Sequence, residues 1–117
     1  MHNTEVIGKI NQYLHTSATF LQKWLEGMLP KISENWWQEC VISNLSDNQR
    51  EIAETKQYRR LSDFDLAALL RITDKCWYAM RNFAYLPTKD RECIREMQKI
   101  RNRWAHYSSG MNDKGLV

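Results

Sequence analysis

Apolar residues along this chain recur at intervals of three and four, while the β-branched residues are scattered rather than alternating. That is the period of helices that each bury one face. Val6, Ile7, Ile10, Leu14, Leu21, Leu25 and Met28 form the first such stripe, with Thr4 as its cap, Glu5 in its first turn, and Gly27 and Pro30 at its end. Ser33 opens a second expected helix carrying Trp36, Trp37, Cys40, Val41 and Leu45. From Ser46 to Arg60 only Ile52, Ala53 and Tyr58 are apolar, a stripe too thin to anchor a helix, so this stretch reads as a long polar loop with at most a short helix. Ser62-x-x-Asp65 resembles a capping box and opens a third helix whose buried face is Leu66, Leu69, Leu70, Thr73, Trp77 and Met80. Tyr85-Leu86-Pro87 breaks the pattern, and Thr88 then caps a last helix along which Ile94, Met97, Ile100 and Trp104 share a face. The pattern predicts an all-α fold: an antiparallel four-helix bundle spanning residues 1–107, with a frayed polar tail over 108–117.

Composition narrows the class. The 117 residues suit one domain, and 43% hydrophobic content with five Trp argues for a packed core rather than disorder. A net charge of +3 permits an acidic partner without demanding one. Cys40, Cys76 and Cys93 are odd in number, far apart and free of C-x-x-C spacing, so neither a disulfide framework nor a zinc site is expected, and a reducing cytoplasm fits best. No secretory signal and no membrane span are expected either. No nucleotide fingerprint or internal repeat is present, so no cofactor and no metal are expected. His15, with no ligand-type residue one turn away, reads as a surface histidine. The adjacent Trp36 and Trp37 point about 100° apart on an α-helix. One is expected inside, with the other against a second helix or a partner.

Candidate chemistry concentrates on the last helix. Asn102 and His106 are four residues apart and share a face, and Arg101 is offset by one step. A histidine that gives and takes protons, beside a guanidinium that neutralises phosphate, makes the parts of metal-free phosphodiester cleavage. A second copy from a symmetric partner would fill out so small a site. The bland reading, a cationic helix end with surface side chains, leads on local physics alone. Arg91, Arg95, Lys99 and Arg103 form a basic row at four-residue spacing, partly offset by Glu92 and Glu96, which on charge alone reads as a solvated face. Arg81-Asn82 repeats the dipeptide, but no His follows it closely.

The segment Arg101-Asn102-Arg103-Trp104-Ala105-His106 resembles the R-x4-6-H signature of HEPN domains in its R-N-x-x-x-H form. With Leu61-Ser-Asp-Phe-Asp65-Leu-Ala-Ala-Leu69-Leu70 through Trp77 preceding it, the chain resembles the HEPN subgroup named after a nuclear RNA endonuclease of messenger-RNA quality control. That resemblance is specific over Leu61 to His106 and architectural before it. It implies a helical bundle that dimerises with the two motif helices face to face, building a composite metal-independent endoribonuclease site. Arg101 would then hold the scissile phosphate, His106 would act as general base or acid, and Asn102 would orient one of them. The ends formed would be a 2′,3′-cyclic phosphate and a 5′-hydroxyl. Trp36, Trp37, Trp104 and Tyr107 are the candidate interface residues. Bacterial members of the subgroup are often attached to ATPases and helicases in phage-defence loci, which implies such a partner here. The position two residues after the histidine, a tyrosine in antitoxin-controlled HEPN toxins, is Ser108. The alternatives are a non-catalytic dimerisation and RNA-binding module and a helical adaptor docking through Trp36-Trp37.

Overall fold

The computed structural model describes the backbone of residues 2–116 and the side chains of residues 8–106. The side chains of Thr4, Glu5, Val6, Ile7 and Tyr107 therefore lie outside the described residues. Five α-helices are present among the described residues: α1 (His2–Met28), α2 (Asp47–Thr55), α3 (Leu66–Lys75), α4 (Trp77–Met80) and α5 (Thr88–Leu116). A π-helical turn, Trp37–Val41, sits between α1 and α2, and no strand is described. The fold is all-α, as the hydrophobic period requires, but the expected count of four helices is replaced by these five and the π turn.

α3 is the centre, packed against both α1 and α5. It buries Leu66, Leu69, Leu70, Ile72 and Thr73, and Trp77 and Met80 follow as α4 continues past a break at Cys76. The predicted face is therefore the observed core face. Leu21, Leu25 and Met28 of α1 close on it from one side. Each fully buried leucine contributes roughly 1.5–3 kcal/mol. Direction follows from contacts. Asp65 meets Arg101 and Asp74 meets Arg91, so α5 runs antiparallel to α3. Asn11 meets Trp104, while Phe20 and Leu21 lie beside Ile94, so α5 is antiparallel to α1 as well.

The polar stretch after Ser46 departs from the expected loop. It forms α2 because Ser46 and Gln49 build a reciprocal capping box, with Gln49 N donating to Ser46 Oγ at 3.2 Å and Ser46 N to Gln49 Oε1 at 3.0 Å. Arg50 then anchors the helix by donating to the carbonyls of Ile42 (3.2 Å) and Leu45 (3.1 Å). Ala53 is its single buried residue, so polar tethers replace the missing apolar stripe. Gln57 ends it in the left-handed region (φ 56°), with Tyr58 N donating to Ala53 O at 2.9 Å. Gln57→Gly, at a position that favours glycine, is expected to raise stability by about 1 kcal/mol, read as a shift in denaturant midpoint.

Two further expectations are corrected. Ser33 does not cap a regular second helix: its Oγ accepts from Asn35 N at 3.1 Å and closes a local turn, after which the chain winds as the π turn. There Trp36 and Trp37 are both half-buried against the core, edge to face with centroids 5.8 Å apart, and Trp37 continues onto Phe64. Ser62 does not open α3 either. Asp63 accepts from Arg59 N and Arg60 N and closes its own 3-10 turn, Leu61–Asp63; Phe64 is extended, and Asp65 becomes the cap of α3, accepting from Ala68 N at 3.0 Å.

Cys40 and Cys76 are buried and Cys93 is exposed. Burial pushes the Cys40 thiol up, and burial, with Cys40 beside it, pushes Cys76 up to about 12. Native protein at pH 8 is therefore expected to take one iodoacetamide adduct per chain, at Cys93, and three in denaturant, read by intact mass. Because the folded thiol keeps its proton longer than the unfolded one, Cys76's contribution to stability is complete below pH 9 and is lost as the pH rises toward 12.

Candidate functional site

The site is built on one face of α5 and the start of α3. Arg101 is turned toward α3, where its Nη2 donates to Asp65 Oδ2 at 3.3 Å, with 29% of the Arg101 side chain exposed. Asp65 thus has two tasks: one carboxylate oxygen caps α3 and the other neutralises the guanidinium. Asn102 is exposed and lines a cleft with Gln49, Ala67, Arg71 and Gln98. His106, one turn further on, is exposed. Among the described residues no hydrogen bond joins Arg101, Asn102 and His106 to one another. Within one chain the triad is adjacent but not assembled.

The basic row divides. Arg91 Nε and Arg95 Nε both donate to Asp74 Oδ1, at 3.0 and 3.1 Å, and Arg91 also lies over the Tyr78 ring at 4.7 Å. These two tie α5 to α3. Lys99 pairs with Glu96 at 3.3 Å on the exposed surface. Arg103 is exposed beside Ile10, Tyr13 and Ile100. Trp104 is half-buried and donates from Nε1 to Asn11 Oδ1 at 3.2 Å, which pins this end of α5 to α1. Trp36 immediately precedes the π turn and Trp37 opens it. Arg81 belongs to the turn after α4, its guanidinium 5.8 Å from the Tyr78 ring.

Sequence reasoning did not find Asp65 as the partner of Arg101, nor Gln49, Arg71 and Gln98 as neighbours of Asn102. No spacing rule joins these residues, because they come from separate helices.

The family model described as Swt1-like HEPN matches residues 12–115 of the chain. The chain belongs to the Swt1-like HEPN family. No curated protein and no solved structure matches it. The match takes in α1 and α2 as well as the motif, so the whole of the described core belongs to the HEPN domain. HEPN domains commonly bind RNA and dimerise, and membership supports an RNA-cleaving or RNA-binding module. No described helix is long and apolar enough to cross a membrane.

In this HEPN domain the Asp65 carboxylate occupies Arg101, so a phosphate brought to that guanidinium would have to compete with it. Asp65→Asn keeps a good helix cap while removing the negative charge. It is expected to leave the melting temperature nearly unchanged and to tighten RNA binding by about two- to fivefold, the size of a partly exposed ion pair. Fluorescence anisotropy with a labelled RNA reads this directly.

Proposed function

We propose that this HEPN domain is a metal-independent endoribonuclease that acts as a homodimer, with Arg101, Asn102 and His106 of each protomer contributing to a composite site. What supports it is the arrangement of α5: the motif residues lie near its middle, with Arg101 and Asn102 toward α2 and α3, and an apolar strip is left open to solvent on the α1 side of the same helix. Tyr13 is 65% exposed, Phe20 68% and Ile100 55%, along the seam of α1 and α5. Large exposed apolar side chains along one seam mark an interaction surface, and a two-fold partner there brings a second α5 close. The Trp36-Trp37 pair and Tyr107 remain further interface candidates, and Lys99 and Arg103 the candidate backbone contacts, with Arg91 and Arg95 behind them.

The reaction needs no group beyond these side chains. His106 takes the proton of the ribose 2′-hydroxyl as that oxygen bonds to phosphorus. Arg101 neutralises the growing charge on the phosphoryl oxygens. The bond to the 5′-oxygen breaks, and a protonated second His106, from the other protomer, returns a proton to it. The chains left are a 2′,3′-cyclic phosphate and a 5′-hydroxyl. Asn102 orients the imidazole or the phosphate. A role in phage defence or RNA restriction rests on the resemblance alone.

A second reading is RNA binding without cleavage, as part of a larger ATPase or helicase system. What favours it is the Asp65 carboxylate already occupying Arg101. Cleavage at any protein concentration contradicts this second reading, and dilution tests the first. A composite site loses specific activity as protein falls below the dimer dissociation constant measured by sedimentation. Activity per chain that is constant through that range, or a monomer at all concentrations, contradicts the composite site.

A further inference from the structure

The cleft beside Asn102 draws side chains from three helices: Gln49 from α2, Ala67 and Arg71 from α3, Gln98 and Asn102 from α5. Four of these five carry hydrogen-bonding groups, and none is a carboxylate. Gln98 and Asn102 are four residues apart on α5, so their amides sit one above the other. Gln49 Oε1 is engaged by Ser46 N at 3.0 Å, which leaves its Nε2 protons to donate. Arg71 Nε is held by Asn44 O at 2.7 Å, which fixes the guanidinium and leaves its terminal amino groups for another acceptor.

This lining selects a class of ligand. The guanidinium disfavours a metal cation, and the polar walls disfavour an apolar group. A primary amide offers a donor and an acceptor side by side, the complement of a nucleobase edge, and a guanidinium matches a pair of base acceptors. The cleft shares Asn102 with the motif, and Arg101, the residue before it, meets Asp65 at the start of α3, two residues from the cleft-lining Ala67. A nucleotide whose phosphate is at Arg101 can therefore reach the cleft with its base. We infer that this cleft is a nucleobase subsite, in which Gln98 and Asn102 pair with the edge of a base flanking the scissile phosphate and Arg71 and Gln49 supply further donors. It gives the domain a base preference, and it rests on the RNA reading above.

The test titrates isotope-labelled full-length protein with the four nucleoside 3′-monophosphates and with ribose 5-phosphate, following the side-chain amide resonances of Gln49 and Gln98. The expected result is movement of those resonances by at least one nucleotide, bound about tenfold tighter than the weakest, and none by ribose 5-phosphate. Gln98→Glu, which keeps size and replaces a donor by an acceptor, is expected to change the order of preference; Gln98→Leu is expected to erase it. Equal movement by all five probes, or no movement by any, overturns the subsite. The same proteins are assayed for RNA cleavage. Base selectivity without cleavage keeps the subsite and removes the catalytic reading, whereas cleavage without base selectivity does the reverse.

Discussion

Replacing His106 with alanine is expected to slow RNA cleavage by about 100- to 10,000-fold, the usual contribution of a positioned general acid or base. The loss falls on kcat more than on KM, because the imidazole acts on protons in flight rather than on bound substrate. His106 is exposed, so nothing in the core depends on it, and the variant is expected to melt with the wild type. Arg101→Ala behaves differently. In the proposed mechanism it removes the phosphate's counter-charge, and it also leaves Asp65 unpaired at the start of α3, so it is expected to weaken RNA binding as well as turnover. Combining the two changes is expected to cost less than the product of the separate effects, since in the proposed mechanism both serve one transition state. Single-turnover cleavage of a labelled RNA, with circular dichroism melts on each variant, checks all of this.

The second large effect is structural. Asp74→Ala is expected to destabilise the domain by about 2–4 kcal/mol, between an exposed pair and a fully buried one. Its carboxylate is 13% exposed and binds Arg91, itself 17% exposed, so removing it strands a guanidinium between α3 and α5. Arg91 also donates to the Asp74 backbone carbonyl at 3.4 Å, a bond the alanine variant retains and which limits the loss. Arg95 is 54% exposed, and Arg95→Ala is expected to cost below about 1 kcal/mol. A double-mutant cycle between Asp74 and Arg91, read from urea midpoints, isolates the pair. In RNA binding the order is expected to reverse: Arg103→Ala weakens affinity and flattens its salt dependence, while Arg91→Ala acts mainly through stability.

What could be read from the sequence was whatever a single helix encodes. The face that α3 and α4 share from Leu66 to Met80 was legible because burial repeats every three or four residues. The Arg101-to-His106 motif was legible because its members lie within two turns of one helix. α2 was not, because Ser46, Gln49 and Arg50 hold it through polar contacts that leave no apolar stripe. The π turn was hidden as well: a π-helical turn and an α-helical one bury similar residues, and only the backbone pairing separates them. Asp65 and Arg101 are 36 residues apart, so no local rule could join them, although each was notable alone, one near an expected cap and the other in the motif. The amide cleft needs three helices to be packed before it exists.

The most direct measurement is an end-group analysis of a structured RNA incubated with the purified protein in excess chelator, with His106→Ala in parallel. The account predicts fragments ending in 2′,3′-cyclic phosphate and beginning with 5′-hydroxyl, from the wild type alone. Intact RNA with both proteins, or equal cleavage by both, contradicts it.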